Sequence, residues 1–432
     1  MFISTITYEY YEISFILIIA AFSIPISRKA STVYIPVLIV FGLIFGPVLG
    51  LISHGFAIYL LSSFGTVGIG LLGLVIILYY ESHNINPRIL RRYLYKIASL
   101  DTIGMVITAV GAGIFFSILT GAPFIIGFLF GAIISPTDPA SLIPTFKKIK
   151  IRDDVSGTLI GESLFNDPLG IILLTIGIAL TAPSVSYSML FTFLYNHTGI
   201  IFGSISFLML EIAVPSAIGI GLGFIIIYLN RYFNFENLLV ALTLGIVLFE
   251  FTSLQAISIT PFPAIIATGA IVGNYSDKSI FWNRETSFNE NLSFMAQSVI
   301  FILLGSILTR VQLINYIFFG FIISLLVIFV IRPLAVFASL SIFDFSKNII
   351  KFDTRSKIFM SLVGPRGVVP VVLSTVPFVI GSQDHIKILI QYGAIIYASV
   401  SFVVLISIIL QTIYVPYIGR ILFGDDKGDE VS

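Results

Sequence analysis

The chain of 432 residues contains no cysteine, which excludes disulfides, thiolate metal centres and cysteine nucleophiles and leaves the redox compartment undetermined. Charge is nearly as scarce: Asp, Glu, Lys and Arg make up 10% of the residues, against roughly 25% in a soluble domain. A net charge of +1 gives no concentrated basic field, so nucleic acid is not an expected partner. The four histidines, His54, His83, His197 and His385, fall in predicted loops, which argues against a zinc or histidine-based catalytic centre in the membrane. Long polar stretches are missing too, and with them any second soluble domain. What is present is 57% hydrophobic residues, the composition of an all-α polytopic membrane protein surrounded by lipid bilayer.

A spanning helix needs about 20 mostly apolar residues. About thirteen segments qualify: Ile13–Ser27, Val33–Ile52, Leu60–Tyr80, Ile97–Leu119, Pro123–Phe146, Val155–Leu180, Ile200–Leu229, Leu238–Leu254, Pro261–Gly273, Leu292–Leu308, Ile314–Phe343, Ile358–Ile380 and Ile388–Ile413. The first is preceded by Glu9 and Glu12 and followed by Arg28-Lys29, the reverse of a signal peptide, and reads as a retained helix. Cytoplasmic loops carry the excess of Lys and Arg. With the N-terminus outside and the C-terminus cytoplasmic, nineteen of the 23 basic residues lie inside, Arg310 and Lys387 lie outside, and Arg332 and Arg366 lie within helices. Two segments are interrupted in corresponding places, the fifth by Pro136 and Pro139 and the twelfth by Gly364-Pro365-Arg366-Gly367 and Pro370. With the seventh span as a linker, the chain divides into two inverted six-helix repeats whose fifth and twelfth helices are equivalent. Paired interruptions of this kind point to a binding site at a repeat interface, although either proline cluster alone could merely kink its helix.

Ionisable residues at membrane depth cost at least about 2.5–3.5 kcal/mol each. Asp138, Glu162, Asp167, Arg332 and Arg366 are the central ones; Glu81, Glu211, Glu250 and Asp101 are less so. On a helix Glu162, Ser163, Asn166 and Asp167 share a stripe about 140° wide. Thr137-Asp138-Pro139 adds a carboxylate, a hydroxyl and a carbonyl left unpaired because Pro139 has no N–H. Such oxygen sets suit hard cations. Buried arginines imply pairing, here Glu162 with Arg332, leaving Asp138 and Asp167 for an ion. Glu81 could snorkel to water from a helix end, Asp101 reads as interfacial, and Glu211 and Glu250 as facing a cavity or a dimer contact.

In order and spacing, Thr137-Asp138-Pro139, Gly161-Glu162-Ser163-Leu164-Phe165-Asn166-Asp167, Ile331-Arg332-Pro333 and Gly364-Pro365-Arg366-Gly367 resemble the monovalent cation:proton antiporters of the sodium/proton exchanger type, including NhaP-like archaeal and bacterial proteins. The likeness runs from about Ile13 to Tyr417. It implies that Asp138, Ser163, Asp167 and the Thr137 carbonyl coordinate Na⁺, that Asn166 stands where the electrogenic branch has a second aspartate, and that Glu162 pairs with Arg332. It further implies that Arg366 steadies the twelfth helix near the crossing and that Glu81 faces the ion from the cytoplasmic side. Here Tyr79-Tyr80 replaces the usual Gly-Leu before that glutamate. The resemblance also implies a cell-membrane homodimer with a mobile core (97–181 and 314–416), a dimerisation part (1–96 and 200–310) and a short cytoplasmic tail (417–432).

The expected function is exchange of Na⁺ or Li⁺ for H⁺ in a 1:1, electroneutral ratio, without a cofactor. Cation and proton would compete for the buried aspartates with alternating access. K⁺/H⁺ exchange is the alternative. A channel would need filter loops or charge rings, which are not found. An intramembrane protease would need a Ser/His or paired-aspartate set, which Asp138 and Asp167 superficially imitate, but Asn166 and Ser163 beside them are better explained as cation ligands, so the expected protein is a secondary transporter and not an enzyme.

Overall fold

Inside a bilayer every backbone N–H and C=O must find its partner within the protein, and the described residues meet that demand with helices and no strands. The computed structural model describes residues 2–30, 33–62, 69–83, 85, 87–138, 142, 146, 151–181, 189–277, 279–342 and 351–424. Pro139, Lys147, Lys148, Lys150, Lys278, Lys347 and Lys427 of the sequence argument lie outside them.

Each of the expected segments contains helical residues, although parts of the third, fifth and eleventh lie outside the described ones. Among the described residues seven helices are long and apolar enough to cross a membrane, and five shorter apolar helices accompany them, including Phe124–Ile134 and Val368–Gln383. The tenth segment is the apolar end of a longer helix, Ile280–Ser306, whose first half carries Asn283, Arg284, Glu285, Asn289 and Glu290. The basic stretch from Arg88 to Lys96, expected as a loop, is the helix Pro87–Ser99; it continues through a π-helical turn, Leu100–Gly104, into Met105–Thr120. The helix Met189–Phe233 is broken at Gly199, whose φ of 76° and ψ of 176° suit a residue without a Cβ. The last helix, Lys387–Phe423, runs into the expected tail.

The histidines also differ from expectation. His54 begins the helix His54–Ser62, His197 lies within Met189–Phe233, and His83 ends the helix Ile69–His83; only His385 is in a turn. His83 is buried, with Nδ1 2.8 Å from the Tyr79 carbonyl.

Both interruptions are present. The fifth helix stops at Ile134, and Ser135 to Asp138 are non-helical; the twelfth stops at Leu362 and resumes at Val368. The physical reason is local, since proline removes a donor and crowds the preceding turn. The largest apolar cluster packs around these breaks. It joins Leu129 and Phe130 to Val369 and Val372, to Val400 of the last helix and to Leu303 of Ile280–Ser306.

Candidate functional site

The two non-helical stretches cross in contact. The Asp138 N–H donates to the Pro365 carbonyl at 2.8 Å. A Cβ on Gly367 would lie 2.3 Å from the Asp138 Cβ, closer than real Cβ contacts allow, so glycine permits this approach.

Breaking a helix leaves carbonyls without N–H partners at the negative end of its dipole. An arginine meets each of the two ends here. Arg366 Nη1 donates to the carbonyls of Ser135 at 2.9 Å and Pro136 at 3.1 Å, just after the fifth helix stops. Arg332 donates from Nε at 3.3 Å and Nη2 at 3.1 Å to the Val363 carbonyl, just after the first half of the twelfth. Arg332 also forms a two-pronged bond with Glu162: Nη1 with Oε1, and Nη2 with Oε2 at 2.9 Å. Sequence pairing anticipated the second contact. The carbonyls as arginine acceptors it did not anticipate.

The Thr137 carbonyl accepts from Asn166 Nδ2 at 3.2 Å, and the same nitrogen donates to Thr137 Oγ1 at 2.9 Å. The Thr137 hydroxyl in turn donates to Glu162 at 3.5 Å. A carbonyl oxygen has two lone pairs, so one remains for a cation. Asn166 Oδ1 is buried and has no hydrogen-bond partner among the described residues. The amide orientation is fixed chemically, because turning it over would set oxygen against the Thr137 carbonyl.

Asp138 and Ser163 line a cavity of about 620 Å³ together with Glu81, Tyr34 and Tyr80. Glu81 belongs to the last turn of Ile69–His83, at a helix end as expected. Asp167 lies one helical turn deeper than Ser163, is 6% exposed, and is within electrostatic reach of Asp138 and Glu81. The structure bonds Thr137, Asn166, Glu162 and Arg332 to one another, sets Asp138, Ser163 and Glu81 on the cavity and Arg366 at the break, and leaves Asp167 on the helix of Ser163, within electrostatic reach of Asp138 and Glu81.

Asp101 is a correction. Expected at the interface, it is 3% exposed, both its oxygens lack hydrogen-bond partners among the described residues, and it feels the charges of Glu162, Arg332 and Asp167. The π-helical turn that holds it is a local distortion that helices often use at functional positions. Asp101, Asp138, Glu162 and Asp167 together outnumber Arg332 and Arg366 by two carboxylates. In a low-dielectric interior that excess calls for protons or cations.

The departure at Tyr79-Tyr80 also has a structural counterpart. Tyr79 is fully buried and donates to Glu285 Oε1 at 3.1 Å; Asn289 Nδ2 donates to the same oxygen at 2.7 Å, and His83 Nε2 lies 3.6 Å from Oε2. The larger residue therefore ties its helix to Ile280–Ser306, while Tyr80 turns to the cavity.

Comparison with known proteins agrees with this geometry. The sequence profile described as sodium/hydrogen exchanger, transmembrane, matches residues 16–420. The Na⁺/H⁺ antiporter 1 of Methanocaldococcus jannaschii is 30% identical over 375 residues, 83% of this chain and 80% of that protein. The K⁺/H⁺ antiporter NhaP of Alkalimonas amylolytica is 29% identical over 352 residues, 79% of this chain and 55% of that protein. The solved structure of the sodium proton antiporter MjNhaP1 from M. jannaschii at pH 8 superposes with a TM-score of 0.81 at 27% identity, covering 98% of this chain and 100% of that one. With the crossing of two broken helices and a profile match over nearly its whole length, the chain belongs to the sodium/hydrogen exchanger family of multi-pass membrane transporters.

Proposed function

We propose that the protein is a secondary antiporter that exchanges Na⁺ or Li⁺ for H⁺, with a proton and a cation competing for Asp138 and Asp167. The observation that carries this reading is the surplus of carboxylates at the crossing, beside a cavity that Asp138 and Ser163 share. A site too negative to stay empty in a membrane is loaded either by a cation or by a proton, and a loaded site is cheaper to move across the apolar interior than a bare one. Exchange follows when only loaded sites reorient.

In this reading Asp138, Asp167, Ser163 and the Thr137 carbonyl bind the ion. Asn166 holds Thr137 and cannot carry a proton as an aspartate would, which favours one positive charge in for one out. Glu162, Arg332 and Arg366 keep the crossing intact, and Glu81 attracts cations into the cavity. Residues 97–181 and 314–416 move as a core against a dimerisation part made of 1–96 and 200–310. The exchanger sits as a homodimer in the cell membrane, with the N-terminus outside, the C-terminus inside, and no cofactor. A second reading, K⁺/H⁺ exchange, is favoured by the relative of that name at 29% identity; the same groups would serve, with a wider cage.

Purified protein in proteoliposomes with an internal pH dye tests both. Na⁺, Li⁺ and K⁺ are added in turn to vesicles holding a proton gradient. Na⁺ and Li⁺ are expected to dissipate the gradient, Asp167→Ala to abolish the response, and a potential set with valinomycin to leave the rate unchanged. A response to K⁺ alone selects the second reading, and none to any cation removes the antiport proposal.

A further inference from the structure

Glu211 is a further acidic group at membrane depth, and the site described above does not use it. Its side chain lines a separate cavity of about 130 Å³, shared with Gln255, Thr260 and Thr175. At roughly 30 Å³ per water in the liquid, that space holds about four waters, or a small cation that has kept part of its hydration shell. Glu211 is 1% exposed. Oε2 accepts the Thr260 N–H at 2.6 Å, whereas Oε1 is buried without a hydrogen-bond partner among the described residues. Among the described residues no other charged side chain lines this cavity.

Its place along the helices is informative. On Asp153–Thr181 the large cavity takes Ser163, the small one takes Ile171, Leu174 and Thr175, and Asp167 lies between. At about 1.5 Å per residue, Ser163 and Ile171 are each about 6 Å along the axis from Asp167, in opposite directions. The helix Ile69–His83 repeats the pattern, with Leu71 at the small cavity and Tyr80 and Glu81 at the large one. The small cavity therefore lies on the far side of Asp167. Leu71, Leu174 and Leu373 are among the apolar side chains that line it.

A purely structural role is the competing account: Glu211 fixes the turn that ends in Thr260. An amide oxygen would accept that N–H equally well, so the turn does not require a charge, and it leaves Oε1 unexplained.

We propose that Glu211 is a waypoint for the transported cation on the face opposite the large cavity, holding a partly hydrated monovalent ion through Oε1 with help from the oxygens of Gln255 and Thr175. The proposal rests on the antiport reading and extends it to the second access path. When the core reorients, the cation passes between Asp167 and this carboxylate. A buried negative charge at a narrow mouth raises the local cation concentration on that face only.

The test uses right-side-out and everted membrane vesicles from cells lacking endogenous Na⁺/H⁺ antiporters, so that Na⁺ is presented to one face at a time. Glu211→Gln retains an oxygen for the Thr260 N–H and removes the charge. It is expected to raise the apparent KM for Na⁺ on the Glu211 face about tenfold, to change the KM on the other face far less, and to leave the melting temperature unchanged; Glu211→Asp is expected to recover most of the loss. An unchanged KM on the Glu211 face, or an equal rise on both faces, overturns the proposal. Should Glu211→Gln fail to accumulate, Gln255→Ala decides: a rise confined to the Glu211 face supports the waypoint, and wild-type behaviour overturns it. Wild-type vesicles that show no exchange at all defeat the antiport reading and this extension with it, an outcome distinct from a wild type that exchanges normally beside an indifferent Glu211→Gln.

Discussion

At the scale of single residues, the strongest commitment is the Glu162–Arg332 pair. Removing one partner of a buried ion pair leaves the other charge uncompensated and costs about 3–5 kcal/mol. Glu162→Gln should therefore lower the melting temperature of the purified protein sharply, whereas Ser163→Ala, which touches the cavity and not the pair, should reduce ion affinity at nearly wild-type stability. Gly367 supplies a second prediction. Because a Cβ there meets the Asp138 side chain at 2.3 Å, Gly367→Ala should abolish exchange by displacing Asp138, and unimpaired transport by this variant would show that the carboxylate need not sit where it does. The pair could be read in the sequence because buried charges of opposite sign must find each other and few are present. Asp101 could not, because its burial depends on the π-helical turn Leu100–Gly104 and on the packing of Gly104 near Ser339, contacts between residues far apart in the chain.

At the scale of elements, the breaks in the fifth and twelfth helices followed directly from Pro136 and from Gly364-Pro365, since the lack of an N–H is a local property. What meets the broken ends was not legible. The arginine caps on Ser135, Pro136 and Val363 join elements about 30 to 230 residues apart, and no spacing rule announces them. A further link ties the start of the sixth helix to the start of the twelfth outside the apolar region: Arg152 Nη1 donates to Asp353 Oδ1 at 3.1 Å, and Ser356 Oγ donates to the same oxygen at 2.5 Å. The Ser356 hydroxyl first, and the Arg152 charge after it, hold the Asp353 carboxyl below the usual carboxylate range. A depressed folded value means that the stabilisation is complete above the unfolded value of about 3.9 and fades as pH falls through the folded one. Exposure keeps the effect small. The difference in melting temperature between wild type and Asp353→Asn should be constant above about pH 5 and shrink below about pH 4; a difference that grows on acidification would contradict the assignment.

At the scale of the molecule, low charge and long apolar runs indicate a helical membrane protein, and paired breaks indicate where its chemistry lies. Departures from the expected helix map arise where polar residues stay helical because tertiary partners hold them. Glu285 accepts from Tyr79 and from Asn289, so Ile280–Ser306 extends well before its apolar end. The two cavities lie on either side of Asp167, as a site reached alternately from two faces requires. The central claim is that a proton and a cation occupy the same carboxylates in turn, and it is tested most directly by counting protons as Na⁺ binds. Purified protein in weakly buffered solution with a pH indicator, titrated with Na⁺ near neutral pH, should release about one proton per ion bound, and Asp167→Asn should release none. Saturable Na⁺ binding by the wild type without proton release would contradict the account.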